Sequence, residues 1–259
     1  MTQELLYDKR DDVGWITFNR PQARNALTFA MYEGVAEICG RVGRTGEAKA
    51  LVITGAGDKA FAAGTDIAQF KDFKDGEDGV AYERKMDGTL DAIERCAVPT
   101  IAAIAGFCTG GGAAIAAACD LRIAAANAQF GFPIARTLGN CLSMANYARL
   151  AALIGPQRVK EMLLLATLVD APTAAAIGLV SEVLPDPSTL QARAEALART
   201  LAGHAPLTLR VTKEALRRLQ ARLGEENIDD LLRLAYGSRD FREGMAAFLE
   251  KRAPNWTGT

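Results

Sequence analysis

Apolar positions change their period several times along the chain, and each change marks an element. Val13–Phe18 (VGWITF) is apolar enough for a strand, and from Leu27 to about Val42 the apolar residues fall at helical spacing. Ala50–Thr54 is a short apolar run of the kind buried in a sheet. Residues 71–79 (KDFKDGEDG) are charged and glycine-containing and predict a mobile surface loop. An amphipathic helix is predicted over Tyr82–Arg95, then two more buried strands at Pro99–Ala105 and Leu121–Ala124. From Gly155 the pattern turns helical. Gly178 closes a short helix, and Leu179–Val183 has strand character. Residues 206–222, 225–237 and 239–252 read as amphipathic helices whose mixed charges are solvated faces. Strand–helix alternation followed by helices gives the class α/β. It is one domain, with a core over residues 1–200 and a helical region over 201–259.

The length of 259 residues accommodates one such domain with a substantial core. Lys and Arg number 30 against 31 Asp and Glu, so no general field draws the chain to nucleic acid or anionic membranes. Five cysteines, none in a CxxC pair, read as reduced thiols of a cytoplasmic protein. A lone histidine, His204, excludes a two-histidine metal site and disfavours a Ser–His–Asp triad; its surroundings (AGHAP) read as a loop between helices. The opening MTQELLYDKR is polar and unlike a signal peptide. Cys96–Cys119 carries no charge and is long enough to span a bilayer, but Pro99 and Gly110–Gly112 make it a buried strand, a glycine turn and a small-residue helix.

Two glycine-bearing segments carry the candidate chemistry. The first, Gly55–Ile67 (GAGDKAFAAGTDI), follows a strand, yet Ala60 stands where a dinucleotide loop needs its third glycine, and no GK[ST] follows. The second, Gly106–Ala114 (GFCTGGGAA), joins a buried strand to an alanine-rich helix. It reads either as plain strand–helix packing or as a site for negative charge, where unpaired amides and the helix dipole meet a ligand. Taken together, an amide near Gly64–Asp66 and another near Gly111 can converge as an oxyanion hole, which in a thioester would bind the carbonyl oxygen and stabilise the enolate.

These segments belong to a longer series. Asn19–Leu27 (NRPQARNAL), Lys59–Ile67 (KAFAAGTDI), Val98–Gly106 with Gly110–Gly112, Ala128–Pro133 (AQFGFP), Gly178–Val183 and Phe248–Arg252 stand in order over nearly the whole chain. The series resembles the motifs of the crotonase superfamily, the enoyl-CoA hydratase/isomerase family. The resemblance implies a ClpP/crotonase-like spiral of ββα units with a helical C-terminal region, a homotrimer or homohexamer, and an acyl-CoA substrate bound bent, with no metal or other cofactor. By position it implies Thr65 and Gly111 as the oxyanion amides. Arg24, Ala26, Ala62, Gly64, Asp66, Ile67, Ala68 and Gly110 would lie along the thioester and CoA path. Arg24 near phosphate suits charge-assisted pairing or is simply solvated, and Asp66 is expected to brace its loop.

The same resemblance marks departures. Family hydratases carry glutamates in GGGxE and FGxPE, where this chain has Ala114 and Ile134, so the usual acid and base of water addition, worth about 10²–10⁴ in rate, are missing. Arg136–Ser143 (RTLGNCLS) resembles the region of the 4-chlorobenzoyl-CoA dehalogenase branch that supplies a nucleophilic Asp. Cys141 or, in the other alignment, Ser143 takes its place: a nucleophile, or packing in a turn. Asp87 takes the place of that branch's histidine, as a base of raised pKa or a surface charge, and Arg136 suits an anion or a neighbouring subunit. Two readings follow. One is a lyase or isomerase acting through a CoA enolate with atypical acid/base residues; the other is an inactive acyl-CoA-binding relative. Nucleic-acid binding, found in one branch, lacks a basic stripe here.

Overall fold

The structure, a computed structural model, describes residues 3–224 and 226–259. Its first hairpin pairs β1 (Leu5–Arg10) antiparallel with β2 (Val13–Phe18). β1 was not expected, because only Leu5 is buried and the rest of the strand is exposed apart from the half-buried Tyr7, with no alternation to mark it. α1 (Phe29–Thr45) follows, capped by Thr28, whose hydroxyl accepts from the Met31 amide. Thereafter the chain repeats a ββα turn. β3 (Ala50–Gly55) and β4 (Ala60–Ala62) lead to α2 (Gly76–Glu94); β5 (Thr100–Ile104) and β6 (Phe107–Thr109) lead to α3 (Gly111–Ala118). β7 (Leu121–Ala125) and β8 (Gln129–Gly131) lead to α4 (Ile134–Thr137) and α5 (Met144–Leu164).

Each turn places its first strand in one sheet and its second in another. The larger sheet runs β1-β2-β3-β5-β7-β10 and the smaller β4-β6-β8-β9, where β9 is Val169–Asp170 and β10 is Glu182–Leu184. Pairs from β2 through β10 in the larger sheet are parallel, and its central strands β3 and β5 are buried throughout. The two sheets stack into the superhelical spiral implied by the motif series. The three-residue strands of the smaller sheet are too short to show a period, so the pattern of apolar positions did not reveal them.

Several boundaries differ from expectation. The loop predicted over 71–79 ends at Asp75, and α2 starts at Gly76, because Asp75 and Asp78 form a reciprocal capping box. The two glycines that suggested a loop instead allow close packing: a Cβ at Gly76 would lie 2.6 Å from Arg233 Cα, and one at Gly79 would meet the Tyr236 ring. α5 begins at Met144, well before Gly155, which only kinks it. The strand expected over Leu179–Val183 is confined to Glu182–Leu184, after the short helix α6 (Ala171–Ala176). α7 (Pro187–Ala202) covers the larger sheet through Leu190, Ala194 and Ala198, and it contains the division placed at residue 200. α8 (Pro206–Ala221), α9 (Asp229–Tyr236) and α10 (Arg239–Glu250) complete the chain, and α9 packs along α2. His204 is exposed between α7 and α8, as expected.

Candidate active site

The expected motif at Asn19–Leu27 is a structural clamp. Asn25, in left-handed conformation (φ 54°) and buried, donates from Nδ2 to the carbonyls of Ala56 and Ala60 and accepts from the Arg20 amide. Arg20 in turn donates to the Ala26 carbonyl and pairs with Asp66 at 2.9 Å. Asp66 also accepts from the Ala68 amide, so it braces its loop in the way expected. Leu27 and Thr65 form a parallel bridge, with Leu27 donating to Gly64 and Asp66 to Leu27. The loop after β4 is thereby fixed to the start of α1.

Thr65 and Gly111 then meet through two glycines. Gly64 (φ 105°) and Gly110 (φ 51°) hold left-handed backbone that other residues rarely adopt, and a Cβ at Gly110 would come within 3.4 Å of Gly64 Cα. The turn after β4 therefore lies against the turn after β6. The amide of Thr65 has no acceptor among the described residues, and neither does that of Gly111, the first residue of α3. Both residues line one cavity of about 500 Å³. The helix N-terminus behind Gly111 adds a positive partial charge. Beneath the amides lies a chain of three hydroxyls: Tyr32 to Thr65 at 2.8 Å, and Thr65 to Tyr82 at 2.7 Å.

Of the residues expected along the CoA path, Arg24, Ala26, Gly64, Asp66, Ile67, Ala68 and Gly110 line this cavity. Ala62 does not. It is buried in β4 with its carbonyl and Cβ against Gly112, and Ala63 takes the place at the wall. Arg24 stacks over the Phe107 ring at 5.2 Å and has no carboxylate partner among the described residues. Ala114 and Ile134, the positions where the resemblance leads one to expect glutamates, both line the cavity, as do Met86, Leu90 and Phe132.

The structure does not bring the four expected acid, base or nucleophile candidates to the cavity wall. Arg136 is exposed on α4. Cys141 lies at 3.8 Å from the Leu231 carbonyl, and burial pushes its thiol up to about 12, which holds it in the unreactive protonated form. Ser143 is the cap of α5: its hydroxyl accepts from the Asn146 amide and donates to Asp87 at 2.7 Å. Asp87, pushed up by burial, is thus engaged behind the wall. The carboxyl that α2 presents to the cavity is Glu83, one turn earlier. It is 4% exposed, accepts hydrogen bonds from the Tyr236 hydroxyl and the Ser143 amide, and is pushed up to about 8 by burial. Sequence reasoning passed over it. Its signal was spacing: Val80, Met86, Leu90 and Ile93 form the buried stripe of α2, and Glu83 is the charged residue within that stripe. Among the described residues, no three His, Cys, Asp or Glu groups gather as a metal site, and no helix is long and apolar enough to cross a membrane.

The profile of the enoyl-CoA hydratase/isomerase family matches residues 8–259. The chain belongs to that family. It is 37% identical over 99% of both chains to the probable enoyl-CoA hydratase echA8 of Mycobacterium bovis, and 33% identical over 98% of both to the crotonyl-CoA hydratase of Syntrophomonas wolfei. Among solved structures, a methylmalonyl-CoA decarboxylase in complex with 2-nitronate-propionyl-CoA superposes with a TM-score of 0.89, at 28% identity over the whole of both chains. The crotonase-type architecture expected from the motif series is therefore the observed one. Ala114 and Ile134 are cavity-lining side chains with no acid or base group.

Proposed function

We propose that the protein is an enzyme that binds an acyl-CoA thioester and stabilises its enolate with the Thr65 and Gly111 amides. The observation that carries this reading is the pair of acceptor-free amides facing one largely apolar cavity. The names of the relatives, hydratases and a decarboxylase that all act on CoA esters, support the substrate class. Arg24, stacked on Phe107 at the cavity edge, is suited to the nucleotide phosphates. Ala114 and Ile134 bring no acid or base to a water molecule, so lyase chemistry by ordinary hydration is slow, and proton relocation on the acyl chain is favoured. This chemistry calls for no cofactor besides the coenzyme A of the substrate.

The direct test is isothermal titration with butyryl-CoA combined with infrared difference spectroscopy. The thioester carbonyl stretch is expected to fall on binding, because two donors polarise the bond. Arg24→Ala is expected to weaken butyryl-CoA about tenfold, in line with about 1.5 kcal/mol for a hydrogen bond to a charged group, and to leave a pantetheine thioester unaffected. No binding, or binding with an unmoved carbonyl, refutes the assignment.

A second element of the proposal concerns assembly into a homotrimer or a dimer of trimers. Leu207, Val211, Leu219 and Leu223 recur at intervals of four or eight and are 62–72% exposed, with Leu216 beside them. These exposed apolar side chains, spread over α8 and the turn after it, fit contact with further copies of the chain. Light scattering is expected to give three or six chain masses; a monomer at micromolar concentration contradicts it.

A further inference from the structure

We propose that Glu83 is the catalytic residue that carries the proton to and from the α-carbon of the bound thioester. The inference rests on the acyl-CoA reading above and assigns the proton carrier that reading leaves open. The titratable groups along the cavity are Arg24, Asp66, Tyr32, Tyr82 and Glu83. The Arg24 guanidinium offers only hydrogen-bond donors and no acceptor for a proton. Asp66 is committed to Arg20 and to the Ala68 amide. The Tyr32 and Tyr82 hydroxyls are bound to Thr65, and burial raises both. Glu83 is the remaining group able to change its protonation state near neutral pH.

Its surroundings suit the task. One oxygen accepts from the Tyr236 hydroxyl and the other from the Ser143 amide, which fixes the carboxyl plane and leaves a lone pair on each oxygen. The groups that face it are Tyr32 from α1, Tyr82 and Asp87 from α2, Cys141 and Tyr147 from the start of α5 and the loop before it, and Tyr236 from α9. None is a cation. The Arg149 guanidinium, whose charge acts on the neighbouring Asp87, is held by both oxygens of Glu94 and by Asn146. Glu83 also lies close to the oxyanion amides: its neighbour Tyr82 bonds Thr65, and its charge is felt at the Tyr32 hydroxyl, against which a Cβ on Gly111 would collide.

The step balances without a co-reactant. Ionised Glu83 takes the α-hydrogen as a proton. The C–H electron pair becomes the enolate double bond, and the carbonyl pair moves onto the oxygen held by the two amides. The proton then returns to the α-carbon or, when the substrate is β,γ-unsaturated, to the γ-carbon, leaving the double bond at α,β. One carboxyl performs both transfers, so the site fits an isomerase that relocates a double bond.

The experiment incubates the full-length protein with butyryl-CoA and with 3-butenoyl-CoA in D₂O, and follows deuterium gain by mass spectrometry and crotonyl-CoA formation by the ultraviolet absorbance of its conjugated thioester, with affinity measured in parallel. The wild type is expected to show both reactions. Glu83→Gln, which keeps shape and volume, is expected to lose about 10²–10⁴ in rate with affinity retained within a few-fold, and Glu83→Asp to recover part of the loss. The wild-type rate should rise with pH and level off above the ionisation of Glu83, a profile a purely structural role would not produce. Binding without exchange in the wild type, or undiminished exchange in Glu83→Gln, overturns the proposal while the enolate-binding site stands. Loss confined to Asp87→Asn overturns it in favour of the neighbouring carboxyl, and absence of any CoA-ester binding overturns both readings.

Discussion

Replacing Gly111 by alanine is expected to lower turnover of an acyl-CoA thioester by about 10²–10³, the effect of removing one oxyanion donor. A Cβ at this position would lie 1.8 Å from the Tyr32 hydroxyl and 3.1 Å from Thr65 Oγ1. Tyr32 is buried and its hydroxyl is tied to Thr65, so its ring cannot shift without giving up that bond. The clash is relieved by moving α3 or by breaking the hydroxyl chain, and either displaces an amide from its aim. Turnover and the carbonyl stretch of bound butyryl-CoA report this separately from folding, which thermal unfolding monitors. A Gly111→Ala protein that keeps more than half of wild-type turnover would mean that the Gly111 amide is not the donor.

The second large effect is on stability and comes from Glu83 alone. Its folded-state pKa, raised to about 8 from 4.5, means that the folded chain holds this proton while the unfolded chain releases it. The associated stability is fully present below about pH 4.5, declines between there and about 8, and is gone above. At about 1.4 kcal/mol per pH unit, the whole window is worth about 5 kcal/mol. Wild-type unfolding free energy in urea is thus expected to fall from pH 5 to pH 9 by several kcal/mol more than that of Glu83→Gln, which has no proton to lose there. Parallel curves for the two proteins would show that Glu83 ionises without penalty. The comparison needs no substrate.

Much of this site was legible in the sequence because its backbone parts are written as glycines. Gly64 and Gly110 have left-handed conformations that few other residues take, so the two turns could be read before their partners were known. Strands such as Ala50–Gly55 announced themselves by continuous apolar runs, being buried on both faces. The short strands β4, β6 and β8 gave no such signal, since three residues carry no period and their role depends on stacking with distant turns. The loop expected at 71–79 failed for a related reason: Gly76 and Gly79 are small to admit α9, a contact some 150 residues away. Side-chain chemistry was hardest to read. The resemblance points to Asp87, yet Ser143 captures its carboxyl, and the residue one turn earlier lines the cavity. A helix of 3.6 residues per turn makes both choices nearly equal in sequence, and the packing of α5 and α9 decides between them.

The two proposed oxyanion donors, Thr65 and Gly111, belong to successive turns of the spiral, one just after β4 and the other just after β6, which pair side by side in the smaller sheet. Their separation is therefore governed by the pitch between hydrogen-bonded strands, about 4.8 Å in any sheet. That pitch is a property of peptide geometry and is indifferent to which side chains surround it. A jaw of fixed gauge results, able to grip one oxygen atom while the acids and bases around it are exchanged. On the proposed reading, Glu83 supplies from α2 the proton carrier that Ala114 and Ile134, on other walls of the same cavity, do not.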